Sequence, residues 1–346
     1  MNFSKVLLKW YLQNKRDLPW RNTQNPYHIW LSEIILQQTR VAQGLPYFLK
    51  FTTTFPTIFD LAKADEEDVL KLWQGLGYYS RARNLHKTAQ QVVTDFNGVF
   101  PNNYESLLKL KGVGTYTAAA IASFSYNEAV PVVDGNVLRV LSRYFDIETD
   151  IASAGAKKEF TALAQELLPL GKANVFNQAI MEFGALQCVP KNPDCNRCVF
   201  NESCLALQKK KVSQLPVNLK KLKVTKRYFN YLIFSDEKQQ TFIQKRTAKG
   251  IWHNLYEFPV IETENPEIDE TILALIQNQK QVPNAIYEVT LFNTEPILHK
   301  LSHQHLSIKF WKINVNGTLA NGMDCVTAKT FPFPIVIYNF IEKDWV

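Results

Sequence analysis

The chain has 346 residues, 46% of them hydrophobic, and a net charge of +7. This length is too great for one ordinary domain and suits two, each able to bury a core of its own. No apolar stretch approaches the roughly 20 residues of a membrane span, and the charged N-terminal stretch lacks a small-residue cleavage site. We therefore expect a cytoplasmic protein that starts with an amphipathic helix and does not bind membranes.

Periodic apolar residues predict helices throughout the first part of the chain, separated by Pro, Gly and Asn. Further on, the pattern changes to β-branched and aromatic stretches such as RYFNYLIFSD and LSIKFWKINV, with one helical candidate at 266–279. The sequence therefore predicts an all-α domain at 1–208, a linker at 209–227 and a smaller α+β domain at 228–346.

Positive charge is concentrated in the linker between these two domains. Of its nineteen residues, eight are Lys or Arg and none is Asp or Glu. Two interpretations remain open: the linker is a solvated tether, or it is a basic strap that lies against nucleic-acid phosphates.

A glutamate, Glu33, lies inside one of the most apolar runs of the chain, IWLSEIILQQTR at 29–40. Asn25 and Pro26 form a good cap and first turn for a helix over this run. On that helix Glu33 has mostly apolar neighbours three and four residues away. Because an uncompensated buried charge is costly, such a carboxyl group is expected to have a raised pKa and to stay protonated.

Two glycines flank a valine just before a helix rich in small residues. The motif is Gly112-Val113-Gly114, and the helix starts near Thr115. Glycines permit a tight turn and close approach to a ligand, and the N–H groups at a helix start attract an anion. On its own the motif indicates an ordinary helix cap. Together with the cysteines about 75 residues downstream, it indicates the hairpin of a helix–hairpin–helix element, which binds DNA phosphate without reading sequence.

Asp134 follows an apolar run and precedes Gly135, Asn136 and a further amphipathic helix. One interpretation is an N-cap, a position where aspartate is worth about 1 kcal/mol. The other is a carboxylate that the helix start keeps ionised and directs into a cleft. The two interpretations are compatible.

Four of the five cysteines lie within seventeen residues of one another, at Cys188, Cys195, Cys198 and Cys204. Four thiolates are the number that a 4Fe-4S cluster or a structural zinc ion requires. The crowding favours a metal centre over disulfides or unrelated buried cysteines.

Five motifs in this order resemble the helix–hairpin–helix DNA glycosylase superfamily and, within it, the MutY-type adenine DNA glycosylases. They are SEIILQQT, WQGLGYYSRARNL, LKGVGTYTAAAI, VDGNVLRV and the four cysteines. The resemblance implies a monomeric bacterial enzyme of base excision repair, associated with the nucleoid. Its substrate would be double-stranded DNA in which adenine is mispaired with 8-oxoguanine or guanine. The cysteine spacing resembles the iron–sulfur loop of the endonuclease III-like glycosylases, which implies a 4Fe-4S cluster rather than zinc.

The resemblance also implies roles for the residues around the hairpin. Glu33 would be the general acid that protonates adenine, and Asp134 would be the covalent or electrostatic partner of the sugar. Tyr116 and Asn136 would position these two groups. Endonuclease III-like enzymes carry at the position of Tyr116 the lysine that cleaves the strand, so we expect base removal alone.

DNA contacts are implied at several further positions. Residues Gln38, Thr39, Leu76 and Tyr78 would enter the base stack and contact the base opposite the adenine. The C-terminal part resembles a Nudix domain but lacks the R-E-x-x-E-E set of a working hydrolase. In the family a Phe-Ser-His turn of this domain contacts 8-oxoguanine; here Ser302 and His303 are present, and Leu301 replaces the phenylalanine.

Two alternative functions remain open. One is a bifunctional endonuclease III-like glycosylase and lyase for oxidised pyrimidines, which Tyr116 disfavours. The other is a non-catalytic iron–sulfur protein that binds damaged DNA, which leaves the apolar setting of Glu33 unexplained.

Overall fold

The computed structural model describes residues 3–220, 223–267, 269–277 and 286–344. The chain divides into two compact units, one made of Met1–Lys63 and Asn84–Lys220, the other of Ala64–Arg83 and Lys221–Val346. Each unit is therefore built from two separate stretches of the chain. Among the described residues, no helix is long and apolar enough to cross a membrane.

From residue 3 to residue 220 the chain is helical, as the sequence predicts. Its α-helices are α1 (Phe3–Asn14), α2 (Pro26–Leu36), α3 (Val41–Thr54), α4 (Ile58–Lys63), α5 (Glu66–Leu72), α6 (Ser80–Phe96), α7 (Tyr104–Leu107), α8 (Thr115–Tyr126), α9 (Gly135–Phe145), α10 (Ala156–Leu167), α11 (Ala173–Leu186) and α12 (Leu205–Gln208). The expected all-α character of this part of the chain is confirmed.

Small side chains let helix α8 lie deep in the first unit. Residues 118–122 are four alanines and one isoleucine, and all are at least 96% buried. Helices α2 and α11 both pack against α8. Because alanines allow helix backbones to approach closely, polar side chains at the start of α8 come within reach of those on α2.

One glycine permits the close approach of α9 and α11. A methyl group at Gly184 on α11 would lie 2.7 Å from the Cβ atom of Asn136 and 3.0 Å from its carbonyl oxygen. Val137 and Val140 on α9 and Phe183 on α11 belong to one buried cluster. A larger residue at position 184 would therefore push Asn136 and the start of α9 away from α11.

The second unit contains a mixed β-sheet with helices, as expected for an α+β domain. Its elements after the linker are β1 (Thr225–Ser235), β2 (Gln244–Lys245), β3 (Tyr256–Glu257), β4 (Val260–Thr263), α13 (Asp269–Gln277), β5 (Ile286–Leu291), β6 (Ile297–Lys300), β7 (Gln304–Val315), α14 (Cys325–Ala328) and α15 (Ile335–Asp344). The predicted helix at 266–279 thus appears as α13, while residues 268, 278 and 279 lie outside the described residues.

Strands β1 and β7 form the centre of the main sheet. They run parallel, with Phe234 opposite Ile313, and β4 pairs with the other side of β1. Strands β5 and β6 both pair antiparallel with β7, at its two ends. Alternate side chains of the sheet, including Leu232 and Trp311, pack with Ile272 of α13 in a buried cluster. The strands could be predicted from their β-branched and aromatic residues, because such side chains pack well on a pleated sheet surface.

The segment Ala64–Arg83 packs in the second unit although it lies inside the predicted domain 1–208. The Lys71 ammonium donates to the carbonyl oxygens of Lys329 and Phe331, at 2.5 and 3.0 Å. Glu67 accepts from Lys245 and from the Tyr256 hydroxyl, at 2.7 and 2.8 Å. The predicted DNA contacts Leu76 and Tyr78 therefore share a compact unit with Ser302 and His303.

Candidate active site

The packing of α2 against α8 joins Glu33 to Tyr116. Helix α2 begins as predicted, with Asn25 accepting from the backbone N–H of Tyr27 at 2.9 Å. Glu33 lies one turn before the end of this helix and is 7% exposed. The Tyr116 hydroxyl, on the second residue of α8, donates to the Glu33 carboxylate at 2.7 Å.

Burial gives Glu33 a pKa close to neutral. It raises the pKa of Glu33 to about 7, although the hydrogen bond from Tyr116 and the charge of Arg21 lower it, and the charge of Asp134 raises it further. A large fraction of this carboxyl group is therefore protonated at neutral pH. This is the condition for a general acid, whose ideal pKa lies near the operating pH.

Asp134 caps helix α9, as the sequence predicts. Its carboxylate accepts from the backbone N–H of Val137 at 2.8 Å and from the Asn136 side-chain amide at 2.7 Å. Burial raises the pKa of Asp134, and these two hydrogen bonds oppose that rise. The sequence indicated that the helix start would favour the ionised form of Asp134. It did not indicate that burial would raise the pKa of this group. Asp134 is thus a partly buried carboxyl group whose ionised form accepts hydrogen bonds from two nearby N–H groups.

Both carboxyl groups face a common cavity of about 580 Å³. Tyr116 and Asn136 line it as well, so all four predicted catalytic residues meet in the first unit. The same four residues also line an adjoining cavity of about 600 Å³, which extends to Gln38 and Thr39. The structure therefore places the predicted catalytic residues in a cleft with an open side.

A third carboxylate, Glu182 on α11, lines the same cavity and was missed from the sequence. It is 1% exposed and binds two arginines: Arg16 donates at 2.9 and 2.6 Å, and Arg21 at 2.7 and 2.6 Å. Burial raises the pKa of Glu182, but the hydrogen bonds from Arg21 and Arg16 outweigh it and lower the pKa to about 2. An acid inside the apolar run IMEFGAL is the same signal that singled out Glu33.

The structure constrains the two hairpin glycines differently. Gly112 has a φ of +75°, and a Cβ atom there would lie 2.8 Å from Cβ of Asn84. Gly114 caps α8 without a positive φ, and a Cβ atom there would meet nothing within 4 Å. Val113 between them is buried. The turn therefore requires glycine at 112, whereas Gly114 leaves the start of α8 open to a ligand.

The other predicted DNA contacts differ in exposure. In the first unit Gln38 is exposed, has a φ of +56° and is followed by a partly buried Thr39. In the second unit Leu76 is only 6% exposed, so its side chain is part of the core rather than a free wedge. Tyr78 is 41% exposed, and its hydroxyl hydrogen-bonds that of Ser302. Ser302 and His303 lie exposed in the turn between β6 and β7.

All four clustered cysteines line one largely apolar cavity. They are free thiols, and the pKa values of Cys195, Cys198 and Cys204 are raised first by burial and also by the charges of the neighbouring cysteines. Within the described part of the chain, no three Cys, His, Asp or Glu side chains form a group that could hold a single metal ion. The four cysteine thiols, whose side chains line the same cavity, are the soft donors present at this site.

Residues 31–169 match the family model of the HhH-GPD superfamily base excision DNA repair proteins, and residues 230–343 match that of a NUDIX domain. The chain is 36% identical to the adenine DNA glycosylase of Buchnera aphidicola subsp. Schizaphis graminum over 307 residues, 88% of this chain and 86% of that protein. It is 44% identical to the adenine DNA glycosylase of Homo sapiens over 222 residues, 62% of this chain and 41% of that protein.

Solved structures agree with the helical fold. A thermostable thymine-DNA glycosylase, 32% identical, superimposes with a TM-score of 0.56 over 60% of this chain and 95% of its own length. An endonuclease III trapped on DNA, 21% identical, superimposes with a TM-score of 0.53 over 60% of this chain and 94% of its own. The latter likeness shows the fold alone.

Proposed function

Because the chain belongs to the MutY-type adenine DNA glycosylases of the HhH-GPD superfamily, we propose that it excises adenine from double-stranded DNA by base removal alone, without strand cleavage. The observation that carries the chemistry is the pair Glu33 and Asp134 in one cavity. One carboxyl group has a pKa near neutral, and the other is surrounded by hydrogen-bond donors. We propose that the adenine is mispaired with 8-oxoguanine or guanine.

Breaking the bond between the sugar and adenine requires an acid and an anion. Neutral adenine is a poor leaving group, so the Glu33 carboxyl group donates its proton to the five-membered ring of the base. The bond electrons then leave with the adenine, and the C1′ carbon becomes an oxocarbenium ion. The Asp134 carboxylate stabilises this cation. Water then adds to C1′ and gives up a proton to the Glu33 carboxylate, which leaves an abasic site and restores the acid.

The neighbours of the two carboxyl groups set their positions. Tyr116 holds Glu33 by its hydroxyl, and Asn136 holds Asp134 by its amide. Since Tyr116 has no amine, this residue cannot form the Schiff base with the sugar that strand cleavage requires. The products are thus free adenine and an uncleaved strand.

A base inside a duplex reaches the cavity only by flipping out of the stack, at a cost of a few kcal/mol. We propose that Gln38 and Thr39, at the open side of the cleft, contact the DNA from which adenine has left. The hairpin of Gly112, Val113 and Gly114 would bind backbone phosphate through the start of α8. Such contacts position the enzyme without reading sequence.

The second unit would recognise the base opposite the adenine. Tyr78 is exposed and joined to Ser302, so these two side chains and His303 form one polar surface. We propose that this surface contacts 8-oxoguanine, and that Leu76 acts from within the core by supporting the loop that carries Tyr78. Nucleotide hydrolysis is not proposed, because this domain lacks the R-E-x-x-E-E set that a working Nudix hydrolase needs to bind magnesium.

Cys188, Cys195, Cys198 and Cys204 would hold a 4Fe-4S cluster. The four thiols fit this group because they line one shared cavity of apolar character. When bound, the cluster supplies no chemistry to the substrate and orders the loop between α11 and α12. We further propose that the enzyme acts as a monomer on the bacterial nucleoid in the cytoplasm.

Adenine release from a duplex with one A:8-oxoguanine pair tests the function directly. We expect release by the parent protein, loss of release in Glu33→Gln, and an intact strand until the abasic site is cleaved by alkali. Release of an oxidised pyrimidine with strand cleavage would instead favour the bifunctional glycosylase. Binding of the duplex without release of any base would favour the non-catalytic alternative.

A further inference from the structure

Part of the basic linker lies over the cysteine cavity. Val212 lines this cavity beside Cys188, Cys198 and Cys204, and Leu215 is 3% exposed. A free tether would leave such apolar side chains in water. This half of the linker is therefore folded onto the first unit.

A single buried arginine joins the linker to the cysteine loop. Arg143 on α9 is 3% exposed and donates to the carbonyl oxygen of Leu215 at 3.0 Å. It also donates to the carbonyl oxygens of Val189 and Pro190, at 2.8 and 3.0 Å, and lies 3.4 Å from the sulfur of Cys188. The guanidinium group of Arg143 therefore keeps all of these hydrogen bonds only while the linker and the cysteine loop are both folded against α9.

A second set of contacts holds the linker along the segment after α9. The Lys209 ammonium lies 2.7 Å from the Asp146 carboxylate, and Lys211 pairs with both Asp146 and Glu148. Two further hydrogen bonds continue this attachment. The Ile151 N–H donates to the carbonyl oxygen of Val217 at 2.9 Å, and the Leu219 N–H donates to the side-chain carboxylate of Asp150 at 3.2 Å. Two linker lysines therefore pair with carboxylates of the first unit.

We propose that residues 209–219 form a clasp that closes the cluster cavity, and that the cluster and the clasp stabilise each other. The proposal rests on the proposed 4Fe-4S cluster. If the clasp binds more tightly when the cluster is present, the cluster must by linkage be held more tightly when the clasp is closed. The role is neither of the two predicted from the sequence, a solvated tether or a strap on DNA.

The test removes the acidic partners of the linker lysines and leaves these lysines themselves unchanged. The double variant Asp146→Asn, Glu148→Gln removes the ion pairs, and asparagine tolerates the φ of +55° at position 146. In Lys210→Gln, the matched control, one linker charge is lost at an exposed residue outside these ion pairs. Far-UV circular dichroism establishes that all three proteins are folded.

The readout is the absorbance of the cluster at about 400 nm in the purified holoprotein, followed during oxidation in the presence of a chelator. We expect the double variant to lose absorbance several-fold faster than the parent and the control. We also expect thermolysin to cleave residues 211–219 faster once the cluster has been removed from the parent.

Equal rates of decay in all three coloured proteins would overturn the clasp while leaving the proposed adenine excision and its cluster intact. A parent protein that is colourless and holds zinc would overturn both the cluster and the clasp. Stronger DNA binding by the double variant, with unchanged decay, would restore the linker to the role of a strap.

Discussion

The hydroxyl of Tyr116 donates a hydrogen bond of 2.7 Å to the carboxylate of Glu33, across the contact between α8 and α2. The two residues are 83 positions apart in the sequence. Burial raises the pKa of Glu33 and this bond lowers it, and the net result is a pKa of about 7. In the proposed mechanism the bond therefore helps to set the pH range in which Glu33 donates its proton.

We expect Glu33→Gln to lower the rate of adenine release by a factor on the order of 10²–10⁴, the usual contribution of a general acid. The amide keeps the shape of the side chain but has no proton of suitable acidity. In the parent protein the rate should fall as pH rises through about 7, because Glu33 must be protonated to act. Single-turnover rates between pH 5 and 9 measure both effects; an unchanged alkaline limb in the variant would contradict the assignment.

The same substitution should not destabilise the protein at alkaline pH. Glu33 has a higher pKa when folded than the ordinary value of 4.5, so the folded state retains a proton that the unfolded chain releases. The parent therefore loses stability as pH rises from about 4.5 to 7, and Glu33→Gln should lose less. Urea unfolding of both proteins at pH 5 and pH 8 checks the sign of this difference.

We expect Tyr116→Phe to shift the alkaline limb of the rate profile to higher pH. The substitution removes the hydrogen bond that lowers the pKa of Glu33 and leaves the desolvation in place. The maximal rate should fall by about tenfold, because Glu33 is less well oriented. Rates of the variant and the parent over the same pH range provide the test. A lower rate with no shift of the limb would mean that Tyr116 acts by packing alone.

Loss of the Glu182 carboxylate should destabilise the first unit. Glu182→Gln leaves Arg16 and Arg21 without their buried partner, and breaking a buried ion pair costs about 3–5 kcal/mol. Because the folded pKa is about 2 and the ordinary value is 4.5, the stabilisation is present above pH 4.5 and is lost as pH falls towards 2. Urea unfolding at pH 7 and pH 3 should show a clearly larger difference between variant and parent at pH 7 than at pH 3.

The exposed Glu159 on α10 provides the matched control for this experiment. Glu159→Gln removes the same charge and should change the free energy of unfolding by less than about 0.5 kcal/mol. A similar small effect in Glu182→Gln would mean that the two arginines are satisfied by other groups.

The hairpin should be more sensitive at Gly112 than the local sequence suggests. Gly112→Ala forces a left-handed conformation on alanine, at about 1–2 kcal/mol, and brings its methyl group against Asn84. We expect a lower melting temperature and weaker binding to undamaged duplex DNA. Gly155→Ala, where a methyl group meets nothing and φ is negative, should leave DNA binding unchanged. Equal effects of the two substitutions would contradict the role of Gly112.

Tyr78 and Ser302 should act as a pair in the second unit. Their hydroxyl groups share a hydrogen bond, so Tyr78→Phe and Ser302→Ala each leave the other group without this partner. We expect each variant to reduce the preference for A:8-oxoguanine over A:guanine, and the double variant to lose little more than either single one. Additive losses, measured as ratios of single-turnover rates on the two duplexes, would show that the residues act independently.

Local patterns in the sequence were enough for the helices and for the individual groups that flank the site. The cap at Asn25, the cap at Asp134 and the turn at Gly112 depend on residues within a few positions of one another. An apolar run likewise indicated that Glu33 would be buried. Such features follow from backbone geometry and side-chain periodicity, which short segments carry by themselves.

Only the tertiary structure decided which of these groups meet and how each is compensated. Glu182 is paired with Arg16 and Arg21, which lie more than 160 residues away in the sequence. No local pattern therefore distinguishes the low pKa of Glu182 from the raised pKa of Glu33. The hydrogen bond from Arg143 to the linker at Leu215 is likewise a long-range contact. The sequence by itself thus determined where carboxyl groups, glycines and cysteines lie on their helices and turns. Packing decided their charge and their neighbours, because the free energy of a buried charge depends on every element that surrounds it.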